Sequence, residues 1–457
     1  MQPLLEDACR RSIRYLRGLG ERRVQPASAD VTALTRLEHD LPALPSHAED
    51  VLAVLDEVVS PATMASAGPR FFGFVIGGSL PVTLAANWLA SAWDQNAALD
   101  ASTPGVARLE QVAQRWLVEL LGLPESTAAA FVTGATVANF TALAAARNSV
   151  LQQMGWNVEA EGLFGAPPIQ VIVGEEAHPT LTKSLGMLGL GRSRLTVVPV
   201  DAQGRMRADR LPAITAPAIV CLQAGNVNTG AFDPIAELCP RAKEAGAWVH
   251  VDGAFGLWAR TVPSLAPLVQ GLELADSWAT DAHKWLNVPY DSGIAFVRSA
   301  HALRAAMAIT AEYLPTDTTR RNPSDYTPEL SRRARGVDVW AALRTLGRSG
   351  LVEMVERNCR QARSFAERMM QAGFTVLNEV VLNQVLVHFG DETVTRAVIA
   401  AVQEDGTCWC GITVWQGQWA MRISVSSWAT TDADVECSAA AIVRCARACS
   451  AVATKHR

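Results

Sequence analysis

The chain has 457 residues, more than a single hydrophobic core usually serves, so we expect two or three packed domains. Hydrophobic residues make up 49% of the chain and charged residues 19%, a composition typical of a compact globular protein. The net charge of −5 gives no basic surface for nucleic acid or for an anionic membrane, so neither partner is expected.

The cysteines and the apolar runs favour a soluble cytoplasmic protein. Nine cysteines are scattered along the chain, and the closest pair, Cys408 and Cys410, has neither a second pair nor histidines beside it. No metal site is therefore predicted, and scattered thiols are typical of a reducing compartment. No stretch reaches the ~18 uninterrupted apolar residues of a membrane span, and the acidic start does not resemble a secretory signal.

Residues 1–65 are predicted to form a helical N-terminal arm. Apolar residues recur at helical spacing within the first twenty positions, prolines then interrupt the pattern, and a second helix is predicted at His47–Val59. An arm of this kind needs a larger surface to pack against.

A stretch rich in glycine and aromatic residues, Gly68–Gly78, precedes an apolar helix at Pro81–Trp93. The glycines allow the backbone to approach another surface closely. Phe74, Trp93 and Asn96 are candidates for lining a substrate pocket. Packing in an aromatic core explains the two apolar residues equally well.

From Thr103 onwards, strands alternate with helices, which predicts a mainly parallel, doubly wound α/β sheet. Ligands bind such sheets at the carboxyl ends of the strands. Two short segments and three single residues come just after predicted strands: Gly134–Thr136, Asn226–Thr229, His178, Asp252 and Lys284.

The turn at Gly134–Thr136 opens a predicted helix, Val137–Val150. Free backbone N–H groups at a helix start can bind a phosphate, although a plain helix cap is the alternative interpretation.

Lys284 is one of only four lysines among forty basic residues, and it lies in a compact turn between two strand-like runs. A lysine can lose its proton and form a Schiff base, which an arginine cannot do. A structural lysine is the alternative interpretation.

Asp252 ends one strand and Lys284 follows the next. A lysine Schiff base needs an electron-poor ring, and a buried carboxylate keeps a ring nitrogen protonated and electron-withdrawing. His178 can lie flat on such a ring, while the turn at Gly134–Thr136 binds a phosphate. Together these residues predict pyridoxal 5'-phosphate in a large domain of the aspartate-aminotransferase type.

The chain resembles the pyridoxal-phosphate-dependent group II amino acid decarboxylases, a family that includes aromatic amino acid, glutamate and diaminobutyrate decarboxylases. The resemblance implies a fold type I enzyme, with a helical arm, a large doubly wound domain and a smaller α+β C-terminal domain. The matching motifs run in the family's order from about residue 66 to 350: Gly68–Gly73, Arg108–Glu110, Trp116-Leu117, Thr133–Asn139, Glu176–His178, His250–Ala254, Asp281–Trp285 and Ser331–Gly336.

The resemblance also implies roles for single residues around the cofactor ring. Lys284 would bind the cofactor as an internal aldimine and transfer it to the incoming amino acid. Asp252 would pair with the pyridinium nitrogen. Ala254 would pack under one ring face, and His178 would stack on the other, close to the bond that breaks.

Ala135 and Thr136 would bind the phosphate, with His283 nearby. Tyr326 lies where many family members carry a tyrosine that protonates the carbanion after CO2 leaves. Asp281 departs from the family, which often has asparagine or serine there. Because an acid near a phosphate is unfavourable unless it faces away, no phosphate contact is expected from residue 281.

The predicted domains are the arm at 1–65, a large cofactor-binding domain at 66–310, a mobile catalytic loop and linker at 311–336, and the small domain at 337–457. We expect a homodimer in which the arm embraces the partner and both chains complete the pocket. Arg422, in the last strand, binds either a substrate carboxylate or a structural partner.

The predicted reaction is α-decarboxylation of an L-amino acid to an amine and CO2. The alternatives on this fold are another carbon–carbon lyase of the aldolase type or an aminotransferase. An inactive binding or regulatory homologue is the alternative of another class. The sequence does not identify which amino acid is the substrate.

Overall fold

The computed structural model describes residues 1–309 and 320–455. Residues 311–319 of the predicted catalytic loop lie outside this range. By its internal contacts the chain divides into two units, which we call the small unit and the large unit. The small unit comprises Met1–Gly78, Gln361–Leu377 and Val385–Arg457, and the large unit comprises Ser79–Arg360 and Asn378–Gln384.

The strands are numbered in chain order: β1 (Phe71–Phe72), β2 (Ala128–Val132), β3 (Gln170–Gly174), β4 (Thr196–Val198), β5 (Ala218–Gln223), β6 (Trp248–Asp252), β7 (Ser277–Asp281), β8 (Gly293–Val297), β9 (Thr375–Val376), β10 (Gln384–His388), β11 (Trp409–Trp415) and β12 (Gln418–Ser424). The sequence does not predict β1 and β4, which have two and three residues.

The α-helices are α1 (Gln2–Gly18), α2 (Ser28–Thr32), α3 (Ala48–Val54), α4 (Pro81–Trp93), α5 (Pro104–Leu120), α6 (Ala135–Gln153), α7 (Val158–Glu161), α8 (Pro179–Met187), α9 (Ile235–Glu244), α10 (Ala300–Met307), α11 (Arg335–Gln371), α12 (Glu392–Asp405) and α13 (Asp432–Lys455). Proline starts α4, α5 and α8, where its fixed φ suits the first helical position. Gly347 interrupts α11 with a φ of 56°.

The large unit is built on a seven-stranded sheet in the order β2-β8-β7-β6-β5-β3-β4. The neighbours from β7 to β4 are parallel, whereas β8 is antiparallel to both β7 and β2. The strands β2, β3, β5, β6 and β7 therefore end at one edge of the sheet. The predicted fold class, mainly parallel α/β, is confirmed.

Helix α6 packs on this sheet through small residues. Ala142, Ala144, Ala145 and Ala146 are buried there, and alanine allows the helix axis to lie close to the strands. At its start the approach is closer still, because a Cβ placed on Gly293 of β8 would lie 2.4 Å from the Cα of Gly134. Only glycine fits at position 293.

The small unit carries a five-stranded sheet in the order β1-β11-β12-β10-β9. Strands β11 and β12 form a hairpin whose turn residues, Gln416 and Gly417, both have positive φ values, of 46° and 80°. Such a two-residue turn matches the twist of an antiparallel pair. Among the helices of the described residues, none combines the length and apolar character needed to cross a membrane.

Candidate active site

Polar residues meet at the edge of the large sheet where β2, β6 and β7 end. Asp252 is the last residue of β6, Asp281 is the last residue of β7, and Lys284 follows in the next turn. Two residues, Thr133 and Gly134, separate the end of β2 from the start of α6. The chain therefore assembles this site as the positions of the strand ends predict.

Asp252 is a buried carboxylate with a donor on each oxygen. Asn139 Nδ2 donates to Oδ2 at 3.1 Å, and the backbone N–H of Ala254 donates to Oδ1 at 3.2 Å. Burial raises the pKa of Asp252, while the nearby His178 and Lys284 and these two hydrogen bonds act in the opposite direction. The carboxylate is anchored and can still accept a hydrogen bond from a cationic ring nitrogen.

A directional chain of hydrogen bonds runs behind Asp252. His250 Nε2 lies 2.8 Å from Asn139 Oδ1, which can only accept, so the imidazole carries its hydrogen on Nε2. His250 Nδ1 then accepts from the Ser277 hydroxyl at 2.9 Å, and Trp248 Nε1 donates to that hydroxyl at 2.8 Å. Because burial lowers the pKa of His250 to about 3, the ring is neutral, and every hydrogen of the chain is directed toward Asp252.

The sequence motifs contain Asn139 and His250, but the sequence assigns no role to either. Asn139 lies inside a helix that is buried along most of its length, and its partners lie on β6, more than a hundred residues later. The signal in the sequence is the polar amide of Asn139 within an apolar helix, since buried amides normally have hydrogen-bond partners.

His178 caps the start of α8. Its Nδ1 accepts the backbone N–H of Thr180 at 3.3 Å and lies 2.7 Å from the hydroxyl of Thr180, so the orientation of the ring is set by its own helix. His178 and Asp252 line one small cavity together with Leu181, Cys221 and Gln223. The structure therefore brings these two predicted residues together.

The turn that carries Lys284 is held by its neighbours. Asn287 adopts a φ of 55°, and its side-chain amide donates to the carbonyl of Trp285 at 2.9 Å. The indole of Trp285 is buried, and its Nε1 donates to Asn358 Oδ1 at 2.9 Å. Lys284 itself is largely buried, with 18% of its side chain exposed, and Nζ lies 2.9 Å from Asp281 Oδ2.

Asp281 faces the start of α6. Its Oδ1 accepts the backbone N–H of Ala135 at 2.6 Å and lies 3.4 Å from His283 Nε2. His283 Nδ1 accepts from the backbone N–H of Ser292 at 3.1 Å, so the hydrogen of the neutral ring lies on Nε2. Burial lowers the pKa of His283, although the charge of Asp281 raises it.

The Ala135 amide, predicted to bind phosphate, is thus bonded to a carboxylate of the same chain. The backbone N–H groups of Thr136 and Val137 also belong to the first turn of α6. The first N–H groups of a helix have no partner within the helix. Ala254 follows Asp252, and its carbonyl accepts the backbone N–H of Asp281 at 2.8 Å, which ties the two strand ends together.

Three further residues with predicted roles, Tyr326, Asn96 and Trp93, lie on other elements of the large unit. Tyr326 ends a 3-10 turn, Pro323–Tyr326, and its ring lies under the guanidinium of Arg321 at 4.0 Å. Asn96 accepts the backbone N–H of Arg332 at 2.9 Å, and Trp93, at the end of α4, is 46% exposed. Substrate and proton-donor roles for these residues stay predictions.

Phe74 and Arg422 belong to the small unit. Phe74 is 60% exposed, and its ring stacks on Trp409 with centroids 5.4 Å apart. Arg422 lies on β12, where burial lowers its pKa.

A buried ion pair holds the strand that leads into the site. Arg332 and Glu110 have fully buried side chains, and Arg332 Nη1 lies 2.8 Å from Glu110 Oε2. Arg332 also donates to the carbonyl oxygens of Ala97 and Phe131, each at 2.7 Å. The pair thereby fixes β2 just before the turn that starts α6.

Comparison with known proteins identifies the family of this chain. The family model described as "Pyridoxal-dependent decarboxylase conserved domain" matches residues 32–389. An aromatic-L-amino-acid decarboxylase of Bacillus atrophaeus is 28% identical over 324 residues, which cover 68% of this chain and 65% of the relative. Tryptophan decarboxylase 1 of Oryza sativa subsp. japonica is 27% identical over 334 residues, covering 68% and 64%. The chain thus spans just under two thirds of the length of these curated relatives.

Solved structures show the same fold. The crystal structure of Oryza sativa TDC with PLP and tryptamine superposes with a TM-score of 0.90 at 21% identity, covering 98% of this chain and 97% of that one. The crystal structure of mouse CSAD gives a TM-score of 0.89 at 20% identity, covering 97% and 98%. The predicted family is confirmed: this chain belongs to the pyridoxal-dependent decarboxylases.

Proposed function

We propose that this chain catalyses the pyridoxal 5'-phosphate-dependent α-decarboxylation of an L-amino acid, giving an amine and CO2. The observation that supports this most directly is Asp252, a buried carboxylate with a donor on each oxygen that shares a small cavity with His178. Lys284 lies close enough for its charge to act on that carboxylate.

The residues of the site fit this cofactor. Asp252 would pair with the ring nitrogen, His178 and Ala254 would contact the two ring faces, and Lys284 would form the covalent attachment. Ala135 and Thr136 at the start of α6, with His283 nearby, would hold the phosphate. When bound, the cofactor supplies a protonated ring that accepts the electron pair released from a bond at the substrate's α-carbon.

The side chains of the site keep charge and geometry fixed during this reaction. Asp252 would hold the proton at the ring nitrogen, since Asn139 donates a hydrogen bond to the Asp252 carboxylate and so favours its ionised form. The ring of His178 is oriented by Thr180, so it can set the direction in which the substrate's carboxylate points. That direction selects the bond that breaks, because the bond must stand perpendicular to the ring. Lys284 Nζ is held at the site by Asp281 Oδ2, which lies 2.9 Å away.

The names of the relatives suggest which substrates to test first. They include decarboxylases of aromatic amino acids, tryptophan, tyrosine and histidine. We therefore propose an amino acid with an aromatic side chain as the substrate.

The test is release of CO2 from a panel of carboxyl-labelled L-amino acids by the chain saturated with pyridoxal 5'-phosphate. We expect CO2 and the matching amine in equal amounts, and loss of both in Lys284→Ala. Lys243→Ala is the matched control, because Lys243 pairs with Asp276 away from the site. An α-keto acid without CO2 would indicate an aminotransferase, an aldehyde without CO2 an aldolase-type lyase, and no turnover an inactive homologue.

We further propose that the chain acts as a homodimer through its N-terminal arm. Leu5, Ile13 and Leu16 lie on one face of α1 and are all exposed, and an apolar face of this kind favours a partner surface. Light scattering on a sizing column measures the mass. Ile13→Glu with Leu16→Glu is expected to give monomers, whereas Met370→Glu, at an exposed apolar residue outside the arm, is expected to leave the dimer intact.

A further inference from the structure

The carboxylate of Asp281 is enclosed by three polar groups, of which the first donates a hydrogen bond to it and the other two are in ionic contact. They are the backbone N–H of Ala135, the Nε2–H of His283 and the ammonium of Lys284, at 2.6, 3.4 and 2.9 Å. The side chain is 4% exposed. A helix N-terminus, an imidazole N–H and an ammonium group are donors that commonly bind phosphate, but here they surround a carboxylate of the same chain.

Close packing keeps Asp281 at this position. Asp281, the last residue of β7, pairs with Gly293 of β8, and Gly293 lies against the backbone of Gly134. A Cβ placed on Gly134 would lie 3.3 Å from both Asp281 Oδ1 and His283 Cε1. The start of α6 is therefore pressed against this carboxylate, and Asp281 cannot turn outward without losing its contact with Ala135.

We propose that Asp281 is an internal anion that competes with the phosphate of the cofactor for the start of α6, so that this chain binds phosphorylated ligands weakly and exchanges them readily. The inference rests on the proposed function, because it takes the same helix turn as the phosphate site. It concerns Asp281 alone and leaves the ring contacts of Asp252 and His178 unchanged.

The competition follows from charge. A phosphate monoester carries nearly two negative charges at neutral pH, and at the start of α6 it would lie within one helical turn of the Asp281 carboxylate, which is bonded to the Ala135 N–H. Like charges at such a distance, in a largely buried site, lower affinity by about tenfold or more. A ligand without phosphate does not experience this repulsion.

The test compares pyridoxine 5'-phosphate with pyridoxine, since both lack the aldehyde that reacts with Lys284. Titration calorimetry on the cofactor-free full chain gives the two dissociation constants, and their ratio measures the contribution of the phosphate. Asp281→Asn keeps an oxygen that can accept from Ala135 but removes the charge. Asp281→Ser is a second neutral variant, and Asp209→Asn removes an equal charge at an exposed site paired with Arg207.

We expect the phosphate preference to rise about tenfold or more in both Asp281 variants and to stay unchanged in Asp209→Asn. An equal or smaller preference in Asp281→Asn and Asp281→Ser would overturn the inference, since Asp281 would then act as a helix cap. Failure of the proposed function looks different. Pyridoxal 5'-phosphate would then give no visible absorbance that depends on Lys284, in the wild type or in the variants, and the inference would fall with it.

Discussion

Replacing Asn139 with leucine tests the hydrogen-bond chain behind Asp252. The substitution removes the donor to Asp252 Oδ2 and the acceptor for His250 Nε2 while keeping a side chain of similar size. We expect the variant to be destabilised, and by a larger amount at high pH than at low pH. The reason is that Asn139 donates to a carboxylate only while Asp252 is ionised.

The size of the effect follows from the charge of the acceptor. A hydrogen bond between neutral groups contributes about 0.5–1.5 kcal/mol, and one to a charged group about 1.5–3 kcal/mol. The cost of Asn139→Leu should therefore rise by about 1–1.5 kcal/mol as Asp252 ionises, which corresponds to an increase of about one unit in its pKa.

The sign follows from linkage. Burial already raises the pKa of Asp252 in the folded chain, so its contribution to stability is greatest at low pH and is lost as pH rises through the folded pKa. Without Asn139 that pKa rises further, and more stability is lost above it.

The assay is urea unfolding of the cofactor-free chain, followed by tryptophan fluorescence, at one pH below and one pH above the range in which wild-type stability falls. Ser277→Ala is the matched control. It removes the hydrogen bond between Ser277 and His250 Nδ1 and leaves Asp252 and Asn139 in contact. Its cost should be the same at both pH values. Equal costs of Asn139→Leu at the two pH values would refute the reasoning.

Three other variants test single contacts. Glu110→Gln leaves Arg332 buried without its counter-charge and should cost about 3–5 kcal/mol, seen as a lower urea midpoint. Tyr326→Phe keeps the ring under Arg321 but removes the hydroxyl, so decarboxylation should slow about 10²–10⁴-fold at unchanged stability if Tyr326 donates the proton. Burial raises the pKa of Asp338 to about 6, so stability falls as pH rises toward that value. Asp338→Asn should therefore be more stable than the wild type above about pH 6, and a stability difference that does not change with pH would contradict this reasoning.

The sequence alone predicts the positions of the strand ends but not the directions of the side chains on them. Asp252, His178 and Lys284 could be located because apolar runs end just before them, and parallel strands bring such ends to one edge. The contact of Asp281 with Ala135 could not be predicted. It depends on two glycine backbones, at 134 and 293, that approach each other only once β2 and β8 have paired.

Tyr326 shows a second limit of the sequence. Its position after a long polar stretch suggests a catalytic loop, yet the residue lies in a 3-10 turn against Arg321. Side-chain pairs of this kind are separated by few residues but depend on how a whole segment folds back on the core, which residue type does not encode.

The contact between Gly134 and Gly293 also limits how this protein could be changed by evolution or by design. A methyl group on Gly293 would act as a wedge between β8 and the first turn of α6, whereas a methyl group on Gly134 would press on Asp281 Oδ1 and His283 Cε1, each 3.3 Å away. Mutational libraries that aim at new substrates can vary side chains around the cavity other than His178 and Asp252, which have proposed roles at the cofactor. They must leave position 293 as glycine, because the spacing between β8 and the start of α6 depends on a contact that involves no side chain.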